Sequence, residues 1–188
     1  MVEFLHESRI PKDRVAVLIG KSGTVKKQLE DRTHTHLTID SKEGDVFIHG
    51  EDAIDLLHAR EAVKAVARGF NPEMAFLLAS DDYVLEIVPL ADFVKADNKN
   101  ALARVKGRVI GAEGKSRRII EELTFTHLCV YGKTISIIGK PEQVAVSKKA
   151  VESLLSGSPH SSVYTWLEKQ TKDLRKSEYG IMEKIELK

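Results

Sequence analysis

A glycine-framed segment occurs twice in this sequence, first as Val17-Leu18-Ile19-Gly20-Lys21-Ser22-Gly23 and again as Arg108-Val109-Ile110-Gly111-Ala112-Glu113-Gly114. Gly20 and Gly111 are 91 positions apart, and the same spacing aligns Thr35-His36-Leu37-Thr38-Ile39 with Thr126-His127-Leu128-Cys129-Val130. Two segments in register at one spacing are harder to obtain by chance than either alone. The sequence therefore contains an internal repeat, and each local pattern is interpreted within its own copy.

A third match has a slightly shorter spacing. Phe47-Ile48-His49-Gly50 aligns with Ser136-Ile137-Ile138-Gly139 at 89 positions. The difference of two positions means that copy two lacks two residues of the polar stretch that precedes Val46 in copy one. Because deletions are tolerated mainly in loops, this stretch is predicted to be a loop between two strands.

Both copies have the same predicted order of elements: strand, helix, glycine turn, helix, strand, strand, helix. Copy one is predicted to have a strand over 2–10, helices over 12–19 and 24–32, strands at 37–39 and 46–48, and a helix over 52–68. Copy two is predicted to have a strand over 83–93, helices over 98–110 and 115–123, a tight hairpin at 130–134, and a helix over 141–155.

The chain is predicted to divide into two domains, 1–70 and 83–156, joined by a bridging segment at 71–82 and followed by a C-terminal helical extension at 157–188. A short helix at 73–79 is expected in the bridge, and its apolar side chains predict that the two domains pack on each other. The extension has no counterpart in copy one, and its helix is predicted over 161–177. Residues 181–188 are interpreted as a tail or an edge strand.

The glycine turns have the features of an anion site. A helix that restarts directly after a turn has unpaired N–H groups in its first turn, and its dipole favours negative charge there. Glycine permits a sharp turn and lets a sugar-phosphate chain approach the backbone. Five basic and two acidic residues lie from Arg14 to Arg32, and six basic residues and one acidic residue lie from Arg104 to Arg118. The net charge of the whole chain is only +1, so its cations are concentrated around the two turns.

This order of elements, with Ile19-Gly20-Lys21-Ser22-Gly23 at the first turn, resembles the KH domain in its type I topology, present twice. The resemblance runs from about Phe4 to Leu155. It implies an α+β fold in which each copy has a three-stranded antiparallel sheet with helices on one face, and a C-terminal helix follows the second copy. The chemistry that it implies is the binding of single-stranded RNA.

The tandem pair in a short chain, the apolar bridge and the helical extension resemble more closely the archaeal relatives of the Pno and Krr assembly factors. These are two-KH proteins of small-ribosomal-subunit maturation. The resemblance implies binding of small-subunit ribosomal RNA, no enzymatic activity and no cofactor. It also implies partners among ribosome assembly factors or a processing nuclease.

KH grooves hold about four nucleotides, with the RNA backbone on the glycine turn and the bases against the next helix and strand. The resemblance therefore assigns RNA contacts to Gly20, Lys21, Ser22, Gly23, Lys26, Lys27 and Ile39, and in copy two to Gly111, Ala112, Glu113, Gly114, Lys115, Arg117 and Arg118. The remaining groove residues are expected to be aliphatic: Val17, Ile19, Leu37, Val109, Ile110, Leu128 and Val130. Copy two departs from the family pattern, because Glu113 would repel a phosphate unless the nearby cations outweigh it.

Composition excludes several classes of protein. The chain is 42% hydrophobic and 30% charged, as expected of a folded domain. The single cysteine, Cys129, excludes a disulfide framework and a cysteine-rich zinc module and fits a reducing compartment. An acidic start does not resemble a signal peptide, and no apolar run is long enough for a membrane span, so a cytoplasmic location without membrane contact is expected. Only 6% of residues are aromatic, which disfavours a base-stacking platform.

Some residues have competing interpretations. Gly20-Lys21-Ser22 resembles a nucleotide P-loop, but Val15 stands where that motif requires glycine. His34 and His36 would lie on the same side of an extended strand, where they would hold a metal or form a polar strand edge. No further ligand completes a metal set, and no metal site is predicted.

The C-terminal stripe of Val163, Trp166, Leu167 and Leu174 has two interpretations as well: it covers its own core or it docks a protein partner.

Three hypotheses for the function remain at this point. The leading one is non-enzymatic binding of small-subunit ribosomal RNA. The second is a protein-interaction adaptor that recruits a nuclease or a translation factor. The third is a general RNA-processing or decay factor, which the sequence does not separate from the first.

Overall fold

The computed structural model describes residues 4–95 and 98–186, with the backbone alone at 173 and 175–186. The chain forms two compact units, Met1–Leu85 and Glu86–Lys188. The division falls inside a strand, so the unit boundary lies a few residues beyond the end of the predicted bridging segment.

The first unit has the predicted order of elements. These are β1 (Phe4–Arg9), α1 (Lys12–Ile19), α2 (Thr24–Thr33), β2 (His36–Ile39), β3 (Asp45–Gly50) and α3 (Ala53–Ala67), followed by the short α4 (Pro72–Ala75) and a 3-10 turn (Phe76–Ala79). The three strands form an antiparallel sheet in the order β1-β3-β2. Alternate residues of β3 are buried, so one face of the sheet covers the helices and the other is more open.

The core of this unit lies between the sheet and its helices. It includes residues that are at most 1% exposed, one from each of five elements: Leu18, Leu29, Leu37, Ile48 and Val63. Burial of large aliphatic side chains stabilises such a layer by about 1.5–3 kcal/mol each. The apolar residues that recur at helix and strand spacing in the sequence thus form the interior of the domain.

The second unit repeats this arrangement. Its elements are β4 (Val84–Pro89), α5 (Lys99–Ile110), α6 (Lys115–Thr124), β5 (His127–Tyr131), β6 (Thr134–Gly139), α7 (Pro141–Leu155) and α8 (His160–Glu186). The strand order is β4-β6-β5. Among the described residues, no helix combines the length and the apolar character needed to cross a membrane.

The hairpins confirm the predicted deletion. In copy one, His36 pairs with His49, and Asp40–Gly44 separates the strands. In copy two, His127 pairs with Ile138, β5 is one residue longer than β2, and only Gly132 and Lys133 separate the strands. The two ladders therefore have the same register, and the missing residues lie in the loop.

Two predicted boundaries are wrong. The first strand of copy two was expected to reach Phe93, but β4 ends at Pro89 and Leu90–Asp92 form a 3-10 turn. Proline has no N–H to donate to a ladder, which favours the end of a strand at that point. The C-terminal helix continues to Glu186, so 181–186 is neither a tail nor an edge strand. Residues 2–3 and 187–188 of the predicted elements lie outside the described residues.

The bridging segment lies against the first unit. The residues of α4 and the following turn contact α3, and Ala75 and Leu78 are buried. Arg32 of α2 lies over the ring of Phe76, 5.0 Å from its centroid. The apolar residues that predicted packing between the domains thus have neighbours within their own unit. In copy two, α8 contacts α6 and α7, which are the equivalents of α2 and α3. The α4 segment and the turn after it are therefore a short counterpart of α8 in copy one.

One arginine in each unit ties the helix before the glycine turn to the end of the helix that follows the sheet, which is α3 in the first unit and α7 in the second. Arg14 donates from Nε to the carbonyl of Val66 at 2.8 Å and from a terminal nitrogen to that of Phe70 at 2.6 Å. Arg108 makes the same kind of pair, to Leu154 at 2.8 Å and Ser158 at 2.6 Å. The last carbonyls of a helix have no partner within it, so a cation there satisfies them and complements the helix dipole.

We predict that Arg14→Ala lowers the free energy of unfolding of the first unit by about 2 kcal/mol, because two carbonyls lose charge-assisted hydrogen bonds. Chemical denaturation followed by circular dichroism measures the change. Lys12→Ala is the matched control on the same helix. Its side chain is 65% exposed and pairs with Glu43 at 3.6 Å, so it should change stability by less than about 0.5 kcal/mol. Equal effects of the two variants would contradict the structural role of Arg14.

His6 of β1 makes the stability depend on pH. Burial lowers the pKa of His6 below its ordinary value of 6.5, and the positive charge of Arg60 acts in the same direction. The unfolded chain therefore binds a proton more readily than the folded chain as the pH falls through 6.5, and the free energy of unfolding should decline on acidification. Denaturation curves recorded between about pH 7.5 and about pH 5 measure the free energy of unfolding, which should fall less steeply with pH for His6→Gln than for the natural chain. Parallel curves would refute this assignment.

Candidate nucleic-acid interface

The two glycine turns have the same backbone conformation. Gly20, Ser22 and Gly23 have φ values of 74°, 53° and 77°, and Gly111, Glu113 and Gly114 have 72°, 51° and 77°. Each turn is a single 3-10 turn between two helices, Lys21–Gly23 in copy one and Ala112–Gly114 in copy two. Three of the four residues of each turn are thus left-handed, a conformation that glycine adopts without steric cost.

The two glycines of a turn have different tasks. A Cβ atom at Gly20 would lie 2.5 Å from Cγ2 of Val25 and 2.8 Å from its backbone nitrogen, and one at Gly111 would lie 2.6 Å from Cβ of Ser116. At Gly23 and Gly114 a Cβ would meet nothing within 4 Å. The first glycine lets the two helices approach each other. The second glycine faces open space, where a ligand has access to the backbone.

The helices that follow the turns begin without a side-chain cap. Gly23 is the N-cap of α2 and Gly114 that of α6, and neither helix start has a capping hydrogen bond from a side chain. Neither Ser22 nor Thr24 caps α2 with its hydroxyl. The N–H groups of Thr24 and Lys115, the first residues of α2 and α6, donate to the carbonyls of Lys21 and Ala112. No side chain caps the rest of the first turn of either helix, and the helix dipole favours an anion there.

The predicted cations divide into two groups. Lys21, Lys27, Lys115 and Arg118 are exposed, and none of them has an ion pair within the described part of the chain. Lys26 lies 3.7 Å from Glu30, and Arg117 lies 3.4 Å from Glu121. Arg14 and Arg108, which added to the positive charge around the turns, are instead bound to helix carbonyls. The exposed group is the part of the cluster that is free to meet phosphate.

An acidic residue holds the strand of the groove to its helix in both copies. Oε1 of Glu30 accepts a hydrogen bond of 2.7 Å from the backbone N–H of Leu37, and Oε1 of Glu121 accepts one of 2.7 Å from that of Leu128. The same carboxylates pair with Lys26 and Arg117. These two cations are therefore positioned on the groove wall by a contact that also fixes the adjacent strand.

The expected groove floor needs correction at three residues. Leu37 and Val109 are 0% exposed and Leu128 is 4% exposed, so they belong to the core and do not reach a ligand. The partly exposed aliphatic residues are Val17, Ile19, Ile39, Ile110 and Val130. Leu37 and Ile39 lie on the same face of β2, and Ile39 is less covered because it is the last residue of the strand.

The predicted pairing of His34 and His36 is wrong. His34 is not in the strand, because it ends α2 in a left-handed conformation with φ 47°, as Phe125 ends α6 with φ 55°. His34 lies 3.2 Å from Asp55 and His36 lies 3.0 Å from Glu30, so the two rings face different carboxylates. Within the described residues, no cluster of three or more histidine, cysteine, aspartate or glutamate side chains is placed to hold a metal.

The sequence analysis missed two residues beside the second turn. His160 and Tyr164, in the first turns of α8, line a cavity of about 480 Å³ together with Gly111, Ala112 and Lys115. The only signal that could have indicated them is the short connection after α7, which ends at Pro159 and brings α8 back towards its own domain.

The fold and the paired turns define a protein with two type I KH domains. A KH domain model matches residues 6–65, and a model described as a eukaryotic-type KH domain of type I matches residues 84–172. The predicted fold class, α+β with two KH domains, is confirmed. The second match extends to residue 172 and so includes the first part of α8.

The chain is 46% identical over 180 residues to KH domain-containing protein MJ0443 of Methanocaldococcus jannaschii, covering 94% of this chain and 78% of that one. The aDim2p subunit of an a/eIF2alpha-aDim2p-rRNA complex from Pyrococcus horikoshii has a TM-score of 0.85 and 47% identity, over 91% of this chain and 96% of that one. Pre-rRNA-processing protein pno1 of Aspergillus fumigatus is 31% identical over 115 residues, or 61% of this chain and 46% of that protein. The chain belongs to the Pno1/Dim2 family of tandem KH proteins.

We predict different effects of alanine at the two glycines of the first turn. Gly20→Ala should lower the free energy of unfolding by about 3 kcal/mol, because the left-handed backbone and the overlap with Val25 both oppose a Cβ. Gly23→Ala should cost only about 1 kcal/mol, the price of the backbone conformation alone. Chemical denaturation of both variants measures the difference, and equal losses would contradict the separate tasks of the two glycines.

Proposed function

We propose that this protein binds single-stranded RNA without catalysing a reaction, and that its natural target is small-subunit ribosomal RNA during maturation. The observation that carries the proposal is the pair of glycine turns with one backbone conformation, each opening an uncapped helix. A groove of this kind suits an unpaired strand, because bases in a duplex are not free to leave their stack.

In the first domain, the RNA backbone lies along Gly20–Gly23, with its phosphate on the open side of Gly23 and near the N-terminal turn of α2. Lys21 and Lys27 are exposed and supply charge from either side of the turn. Lys26, held by Glu30, and Ile39 at the end of β2 face the bases. Ser22 contributes its left-handed backbone, and its hydroxyl is exposed.

In the second domain, Gly111–Gly114 takes the same position. The carboxylate of Glu113 is exposed within the turn and opposes a phosphate, whereas Ala112 adds no charge. Lys115 and Arg118 are exposed on the first turns of α6, and Arg117 is held by Glu121. Two exposed cations without ion pairs, against the single carboxylate of Glu113, keep the site attractive to an anion, at a lower strength than the first turn.

The choice of ribosomal RNA is supported by the relatives. Those from Aspergillus fumigatus and Debaryomyces hansenii are named pre-rRNA-processing proteins, and aDim2p was crystallised in a complex that contains rRNA. The chain spans less than half the length of these two eukaryotic relatives, so their full activity is not transferred to it. Because the relatives that match most of the chain come from Methanocaldococcus jannaschii and Pyrococcus horikoshii, whose cells have no nucleus, we place the protein in the cytoplasm.

A role as an adaptor is the second candidate, and one observation favours it. The complex of aDim2p also contains a/eIF2alpha, which is a partner of the translation-factor class. In this chain the adaptor role would not need the glycine turns to be open, whereas RNA binding does. The two functions are therefore separated by variants that change only the turns.

The test is crosslinking of RNA in the native cell, with sequencing of what is bound. Lys21→Glu with Lys27→Glu reverses two exposed charges at the first turn, and Lys115→Glu with Arg118→Glu does so at the second. Lys12→Glu with Lys42→Glu is the control, because it makes the same charge change at exposed residues away from the turns. We expect reads from small-subunit ribosomal RNA to fall at least about tenfold in each turn variant and to persist in the control.

Three other outcomes of the crosslinking experiment would contradict this proposal. Reads scattered over many transcripts would remove the ribosomal assignment and leave a general RNA-binding protein. Unchanged reads in both turn variants would overturn the proposed site. Few reads from the natural chain, with protein partners still captured by the turn variants, would favour the adaptor.

A further inference from the structure

A cavity of about 480 Å³ lies beside the second glycine turn, within the second unit. Its walls are α5, the turn itself, the start of α6 and the first turns of α8. The volume is in the range of small-ligand sites, about 300–1,000 Å³, and admits a single nucleotide. Because α8 forms one wall, the cavity depends on the extension that follows the second KH domain.

The charge of the cavity suits a phosphate. Arg104 and Lys115 line it from two sides, and neither has an ion pair within the described residues. The uncapped first turn of α6 opens at the same place. The side chain of Glu113 is not part of the lining, although it lies in the same turn. The cavity is therefore positive where the turn as a whole is partly neutralised.

A buried hydroxyl gives a second and independent sign of a ligand. Ser116 lines the cavity and is 1% exposed, and its Oγ has no hydrogen-bond partner among the described residues. A buried hydroxyl without a partner costs about 1–3 kcal/mol, so such groups usually have one in the functional state. An oxygen of a molecule bound in the cavity beside Gly111 would supply the missing partner of this hydroxyl.

Two rings form the remaining wall. The Nε2 of His160 lies 2.8 Å from the carbonyl oxygen of Arg108, which fixes the imidazole on α5. The ring of Tyr164 meets that of His160 edge to face, with 6.0 Å between the centroids. Both residues are half-buried, so each ring keeps a surface on which a base can pack.

We propose that this cavity binds one nucleotide of the RNA held by the second KH domain. Its phosphate lies between Arg104 and Lys115, next to the N–H groups of α6 and the hydroxyl of Ser116, and its base or ribose packs on Tyr164. The inference rests on the proposed function and extends it. α8 thus adds a binding position to the second groove and compensates for Glu113.

The test isolates the second domain in the full chain. Lys21→Glu with Lys27→Glu serves as the background, so that binding reports on the second groove. The probe is the single-stranded RNA that this background selects most strongly from a random pool of about ten nucleotides, a length that exceeds the four positions of one KH groove. In this background, Arg104→Glu should weaken binding about tenfold, and Tyr164→Ala about fivefold or more. Lys99→Glu makes a similar charge change at an exposed residue of the same helix outside the cavity and should leave affinity within about twofold.

The salt dependence and the point of contact give further readouts. Arg104→Glu should reduce the slope of log affinity against log salt by about 0.7, the loss of one phosphate contact to a single strand. With 4-thiouridine in the probe, crosslinks should map to the peptide that contains His160 and Tyr164. If Arg104→Glu and Tyr164→Ala bind like Lys99→Glu and no crosslink reaches this peptide, the cavity is not a nucleotide site.

Failure of the proposed function looks different. If Gly114→Asp leaves RNA binding of the background unchanged, the second groove does not bind RNA, and the proposal falls with it. If Gly114→Asp abolishes binding while the cavity variants do not affect it, the groove stands and the cavity proposal alone is overturned.

Free uridine 5′-monophosphate has the same phosphate, ribose and base chemistry as one nucleotide of the RNA. If it protects His160 and Tyr164 from crosslinking while RNA affinity is insensitive to Arg104→Glu, the cavity takes a free nucleotide and the proposal is refuted.

Discussion

The close approach of two helices at the first glycine of each turn is the constraint on which the rest of each domain depends. A Cβ atom at Gly20 would lie 2.8 Å from the backbone nitrogen of Val25, so only glycine lets α2 begin so near the end of α1. That approach sets the direction of α2, and β2 and the groove follow from it. The same geometry recurs at Gly111 with Ser116 in place of Val25, so the constraint acts on the backbone and tolerates different side chains.

A second constraint couples the groove to the sheet. Glu30 and Glu121 each accept a hydrogen bond from the strand that lines the groove, and each holds the basic residue one turn earlier on its helix. These carboxylates are partly buried, and their ion pairs are long, so the backbone hydrogen bond is the stronger contribution. The acidic residues in a cluster that attracts phosphate are thus structural, and they do not cancel the charge of the exposed lysines.

The repeat made most of this fold predictable. It aligned the helices and strands of two copies, and residues that recur at one spacing, such as Gly20 with Gly111, also recur in conformation. The errors have a common physical cause. Arg14 counted as a surface cation because its partners are more than 50 positions away, and His34 counted as a strand residue because a left-handed helix end has no clear sequence signature outside glycine and asparagine. Local patterns do not contain such long-range or conformational information.

The two copies have diverged in the parts that surround a common turn. Copy one has two lysines beside its groove without ion pairs among the described residues, and a short helical segment follows it. Copy two has a glutamate in its turn, and a long helix brings His160 and Tyr164 beside that turn. A carboxylate in an anion site reduces the attraction for phosphate, so its presence needs compensation from another contact. The cavity walled by α8 supplies positive charge and ring surface at that place. On the proposed function, the first groove attracts RNA mainly by charge, and the second by charge together with shape.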